Sequence, residues 1–179
     1  MKFFGVFLLS LVCTSCATGP SGPPLETVPT VDLQRYQGKW YEIARLPNRF
    51  QKKCMASTAT YELLESGRVS VLNECITESG KRKAITGSAS VVDTETHARL
   101  EVVFDNWFFR LFSWLIKGKY WVLYLDPEYQ TVIVGTPDRK YLWIMARTPA
   151  LDEKTYQELV QCAEKLGFNG ASLIRDRHL

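Results

Sequence analysis

Thr58-Ala59-Thr60-Tyr61-Glu62-Leu63-Leu64-Glu65-Ser66-Gly67-Arg68-Val69-Ser70-Val71-Leu72-Asn73 reads as two alternating runs folded about a turn. Ala59, Tyr61 and Leu63 share one face and Thr60 and Glu62 the other. Beyond Glu65-Ser66-Gly67-Arg68, the residues Val69, Val71 and Asn73 oppose Arg68, Ser70 and Leu72. A period of two is that of a half-buried strand; a helix would repeat every 3.6 residues. One hairpin is only marginally stable in water, so a folded domain needs the pattern to recur.

It recurs in both directions. Upstream, Trp40-Tyr41-Glu42-Ile43-Ala44 opens a strand. Downstream, Ile85, Gly87, Ala89 and Val91 alternate with Thr86, Ser88 and Ser90, and Leu100, Val102 and Phe104 with Glu101, Val103 and Asp105. Lys119 to Leu125 is rich in aromatics and turns at Asp126-Pro127-Glu128. Thr131 to Thr136 and Tyr141 to Arg147 flank Pro137-Asp138-Arg139. Eight strands joined mostly by short turns form a meander, and eight is the number at which a meander closes around one small ligand. The expected fold is all-β: an eight-stranded antiparallel up-and-down β-barrel with one C-terminal α-helix packed outside. Pro149 and Asp152 mark the start of that helix and Gly167 its end. Its apolar stripe is Tyr156, Leu159, Val160, Ala163 and Leu166, and a short last strand is expected near Ser172 to Ile174.

Alternation assigns an inward face that forms the expected ligand pocket. From the first half of the barrel come Ala59, Tyr61, Val71, Asn73 and Ala89. From the later strands come Val102, Phe104, Tyr120, Val122, Tyr124, Val132, Trp143 and Met145. This set is mostly apolar, with hydroxyls and one amide to orient a polar head. The small residues Ala59, Gly87 and Ala89 leave room for a cavity.

The N-terminus reads as an export signal. Lys2 precedes the apolar run Phe3 to Val12, too short to span a bilayer, and Cys13-Thr14-Ser15-Cys16-Ala17 follows. Residues 1–15 are therefore expected to be a lipoprotein signal peptide, with Cys16 carrying a palmitate-type anchor. Cys13 as acceptor would put Leu11 and Val12 where small residues belong; cleavage near Ala17 as an ordinary secreted protein is the alternative. Residues 16–30, rich in proline and glycine, are expected to be a flexible tether, and 31–179 the folded domain. Three cysteines remain: Cys54, Cys75 and Cys162. Folding the first hairpin brings Cys54 near Cys75, the expected disulfide in an oxidising compartment, and Cys162 reads as a small buried apolar residue.

A formal net charge of +3, with no basic run, P-loop or zinc-ligand spacing, gives no argument for nucleic acid, and no nucleic-acid partner is expected. Only His97 and His178 occur, neither beside a nucleophile and an orienting third group, so no catalytic residue, metal or cofactor is expected. The connection before Lys119 is unusually apolar: Trp107, Phe108, Leu111, Phe112 and Leu115 fall on one helical face. It reads as a lid or as a segment that dips into a membrane.

Three separated segments resemble the signatures of lipocalins: Gly38-Lys39-Trp40-Tyr41-Glu42-Ile43-Ala44, then Asp126-Pro127-Glu128-Tyr129, then Arg147 in Ala146-Arg147-Thr148-Pro149. The likeness runs from about Val31 to Ile174 and is nearest to the bacterial outer-membrane lipoprotein branch. It implies that Gly38, Trp40, Asp126, Tyr129 and Arg147 are the structural signature, with Arg147 stacked over Trp40 at the closed end. Glu42, on the parity of Trp40, is then expected beside Arg147 in a structural role. The resemblance further implies binding, storage or transport of a fatty acid or lysophospholipid at the periplasmic face of the outer membrane, with Ala17 after Cys16 suiting that location. A homodimer is compatible with it. The competing reading is an anchored interaction module that docks a protein partner through residues 107–116.

Overall fold

The computed structural model describes residues 23–105 and 118–178. Its strands are β1 Gly38–Arg45, β2 Cys54–Leu63, β3 Val69–Thr77, β4 Arg82–Val91, β5 Arg99–Phe104, β6 Gly118–Leu125, β7 Thr131–Gly135, β8 Leu142–Ala146 and β9 Ile174–Arg175. A short helix α1, Leu33–Tyr36, precedes them, and α2, Glu153–Lys165, follows β8. Strands β2 to β8 pair in order, β8 pairs with β1, and β1 pairs back with β2. All these pairs are antiparallel, and the ring β1 to β8 is closed, so it presents no free edge. The expected eight-stranded barrel with an external helix is present.

Two apolar clusters explain the sequence pattern. One fills the interior around Trp40 with Tyr61, Val71, Ala89, Val102, Val122 and Val132. The other lies between the wall and α2, where Ile43, Ile133, Leu142 and Ile144 meet Tyr156, Leu159 and Ala163. Strand β7 serves both clusters and is buried throughout, which is why Val132-Ile133-Val134 is continuous rather than alternating. The helix starts where expected: the Asp152 carboxylate accepts from the Thr155 N–H at 3.0 Å.

Bulges move two residues from where simple alternation puts them. Between β6 and β7 the register slips, so that Val122 faces Val134 while Tyr124 faces Ile133. Ile133 belongs to the outer cluster, and Tyr124 packs there against α2 rather than lining the interior. Between β1 and β8, Glu42 pairs with Met145 but Ala44 with Ile144, which brings Arg45 opposite Trp143.

Cys54 and Cys75 form a disulfide across β2 and β3, with Cα atoms 5.6 Å apart. Cys162 is a free, half-buried thiol on α2. The last part of the expected 16–30 tether lies on the barrel: Leu25 is buried in the outer cluster, and the Val28 N–H donates to the Val122 carbonyl at 3.0 Å. These apolar side chains find contacts that a proline-rich composition does not suggest. Among the described residues, no helix is long and apolar enough to cross a membrane. The leader 1–15, Cys16, and Trp107, Phe108, Leu111, Phe112 and Leu115 lie outside the described residues.

Candidate functional site

The closed end is built on Trp40, whose side chain is fully buried and whose indole N–H donates to the Tyr36 carbonyl at 2.9 Å. Arg147 covers it, with its guanidinium carbon 3.8 Å from the ring centroid. The same guanidinium donates to the carbonyls of Lys39 at 3.0 Å, Arg35 at 2.9 Å and Tyr129 at 3.2 Å, tying α1, β1 and the turn after β6 together. Gly38 adopts φ +90°, a backbone conformation that suits glycine. Asp126 holds its turn by accepting from the backbone N–H groups of Glu128, Gln130 and Thr131. The Tyr129 hydroxyl accepts from the Asp32 N–H at 2.8 Å, which fixes the start of α1.

Above this floor lies a narrow cavity with about 20 Å³ of open space. Of the expected pocket residues, Tyr61, Val71, Ala89, Val102, Tyr120 and Val122 line it. Val31, Leu33 and Tyr36 close it from below; alternation within strands does not reveal them, because they come from α1 and its approach. The space is slot-like, little of it wide enough for a free water molecule. Ala59, Val132 and Met145 belong to the interior cluster without lining the slot, and Phe104 and Trp143 pack against that cluster. Gly87 leaves no room: a Cβ there would meet the Val103 carbonyl at 2.5 Å, so this glycine lets β5 approach.

Among the described residues the slot is lined by no charged side chain, but three phenols meet in it. The Tyr36 and Tyr120 hydroxyls are 2.7 Å apart, and Tyr61 donates to Tyr120 at 3.2 Å. Burial pushes the Tyr61 phenol up to about 12 and those of Tyr36 and Tyr120 well above the ordinary value, so all three remain neutral. Higher on the wall, Asn73 has a buried Oδ1 with no hydrogen-bond partner among the described residues. An amide oxygen left in this state favours any donor brought to it.

A second polar group lies where β1, the 46–53 loop and the C-terminal tail meet, and Glu42 is part of it rather than a neighbour of Arg147. Arg45 Nη1 donates to Glu42 Oε1 at 2.9 Å and also to Asp176 Oδ1. Asp176 in turn accepts from the Ser57 N–H at 2.7 Å, while its own N–H and that of Arg177 donate to Ile43 and Met55. The tail thereby stitches β1 to β2 where those strands diverge. Gln51 reaches in from the loop: its amide donates to Glu42 Oε2 at 2.7 Å and accepts from the Trp143 indole at 2.9 Å. Burial raises the Glu42 carboxyl to about 7, with Asp176 adding to the rise and Arg45 opposing it. Burial likewise raises Asp176 to about 6. Sequence periodicity had no means of finding this network, since it depends on a bulge, a loop and the last residues of the chain.

Among the described residues no group of three or more His, Cys, Asp or Glu is placed to hold a metal. His97 sits in the turn between β4 and β5, and the His178 ring lies 2.7 Å from the Glu42 carbonyl.

The family model for the lipocalin-like domain matches residues 31–178. Temperature-induced lipocalin-1 of Arabidopsis thaliana is 43% identical over 153 residues, covering 83% of this chain and 80% of that protein. Outer membrane lipoprotein Blc of Escherichia coli (strain K12) is 36% identical over 165 residues, covering 92% of this chain and 88% of the relative. Among solved structures, insecticyanin from the tobacco hornworm Manduca sexta superposes with a TM-score of 0.70 at 18% identity, covering 90% of this chain and 88% of that one. That likeness bears on the fold alone.

Proposed function

Because this chain belongs to the lipocalin family, whose members bind small hydrophobic ligands, we propose that its barrel holds one lipid-like molecule, a fatty acid or lysophospholipid, for storage or transport at the bacterial outer membrane. The observation that carries the reading is the uncharged slot beneath Asn73. An acyl chain enters it with the tyrosine knot below, and a hydroxyl of the head region donates to Asn73 Oδ1. The wall residues Tyr61, Val71, Ala89, Val102, Tyr120 and Val122 grip the chain. With about 20 Å³ open as it stands, the slot is far smaller than a typical ligand pocket of roughly 300–1,000 Å³, so in this reading an acyl chain widens it by displacing wall side chains as it enters.

The energetics suit an acyl chain. Burying about fifteen methylenes contributes roughly 12 kcal/mol, and association with ordering costs on the order of 4–10 kcal/mol, leaving affinity that reaches about micromolar. No ion pair with the ligand is needed. Cys16, acylated after removal of residues 1–15, anchors the protein at the periplasmic face in this reading. Native mass spectrometry of gently purified protein is expected to reveal a bound lipid, or stoichiometric uptake of added fatty acid. Protein that accepts no apolar probe at micromolar concentration overturns the reading. Cys16→Ser is expected to move the protein from the membrane fraction to the soluble one.

A further inference from the structure

Two segments at the open end of the barrel concentrate positive charge. Residues 46–53 contribute Arg49, Lys52 and Lys53, and residues 78–83 contribute Lys81, Arg82 and Lys83, with Glu78 the one carboxylate among them. The chain has 22 Lys and Arg in 179 residues, so these few positions are several-fold enriched. All six cations are exposed, and among the described residues none forms an ion pair with a carboxylate. The segments are neighbours: Cys54 pairs with Thr77 and Cys75 with Lys83, and the disulfide joins the two strands beneath them.

Within these two segments, both among the described residues, one large apolar side chain is exposed. Phe50 is 63% exposed, with the Arg49 guanidinium 5.3 Å from its ring centroid and the Tyr141 ring 5.5 Å away. A single exposed phenylalanine is ordinary on a soluble surface. Its presentation here is fixed, because Gln51 is pinned inward by Glu42, Ser57 and Trp143. Asn48 Oδ1 also accepts from the N–H groups of Phe50 and Gln51. The inward glutamine thus leaves Phe50 and Lys52 on either side of it facing solvent.

We propose that segments 46–53 and 78–83 form a docking surface for an anionic phospholipid bilayer. The six cations lie among acidic headgroups, Phe50 enters the interfacial layer, and the barrel mouth faces the lipid. Charge complementarity selects the surface, and the aromatic group within the basic patch selects lipid over a purely polar polyanion. The contact stands independently of what the barrel holds.

The test is a lysine-acylation footprint of the full chain mixed with vesicles of phosphatidylglycerol and phosphatidylcholine, or of phosphatidylcholine alone. Lys52, Lys53, Lys81 and Lys83 are expected to be protected several-fold by the acidic vesicles only, with Lys154 and Lys165 on α2 unchanged. Each cation near an acidic surface strengthens binding about fivefold, so Lys52→Gln with Lys53→Gln weakens vesicle binding by roughly 25-fold. Phe50→Ser is expected to lower binding further, while fatty-acid uptake by either variant stays at the wild-type level. Equal protection by both vesicle types, no protection, or protection centred on Lys154 and Lys165 overturns the proposal. Protection by soluble polyglutamate as strong as that by acidic vesicles assigns the surface to an acidic polypeptide and also overturns it.

Discussion

The Arg147 guanidinium carbon stands 3.8 Å from the centroid of the Trp40 ring while its nitrogens bond the carbonyls of Lys39, Arg35 and Tyr129. One planar fork therefore joins the short floor helix and the first strand, consecutive in the chain, to the distant turn after β6. The closed end of the barrel is fastened at this point.

Arg147→Ala is expected to cost about 3 kcal/mol, combining the stacking with charge-assisted bonds to four carbonyls. Arg147→Lys is expected to recover only part, since an ammonium cannot reproduce the fork or the planar stack. Urea unfolding midpoints measure both. A midpoint equal to wild type for the alanine variant contradicts this role.

Gly87→Ala tests the wall. The added methyl would meet the Val103 carbonyl at 2.5 Å and the Phe104 ring at 3.0 Å, so β5 must shift. A loss of about 1–3 kcal/mol is expected from overpacking. If thermal unfolding is unchanged, β5 is not held as closely as described.

The fold was legible in the sequence because one face of most strands is wet, and a wet face imposes strict alternation. Tyr61, Val71, Ala89, Val102, Tyr120 and Val122 face the interior slot for that reason. Tyr124 faces outward, against simple alternation, because the bulge after Val122 adds a residue that composition does not mark. Glu42 was given the wrong partner because parity fixes a face and not a height, and its true neighbours arrive from Arg45, the 46–53 loop and Asp176. Val31, Leu33 and Tyr36 escaped because a four-residue helix has too few positions to display a period.

Glu42 and Asp176 make stability depend on pH in a direction opposite to that of ordinary surface ion pairs. Both carboxyls are raised by burial, Glu42 to about 7 and Asp176 to about 6, above their unfolded values. The folded state therefore binds protons more tightly than the unfolded chain. The contribution is fully present below the unfolded values near pH 4 and is lost as pH rises through about 6–7. Melting temperature in the wild type is expected to be higher near pH 5.5 than near pH 8 on this account, and Glu42→Gln is expected to flatten the difference. An unaltered pH profile in that variant rules the pair out as its source.

Removal of the Cys54–Cys75 bond, by Cys54→Ser with Cys75→Ser, is expected to lower stability by about 3 kcal/mol, since it opens a loop with a sequence separation of 21. Denaturant titration in the presence and absence of reductant should give this difference for the wild type and none for the double variant.

Occupancy of the slot by an acyl chain is the claim on which the function turns. Calorimetric titration of palmitic acid into the wild type and into Ala89→Phe, whose ring would fill the space Ala89 leaves, measures it directly. One chain bound per protein at about micromolar affinity by the wild type, and none by a folded Ala89→Phe, is the predicted result. Equal binding by the two proteins, or none by the wild type, contradicts it.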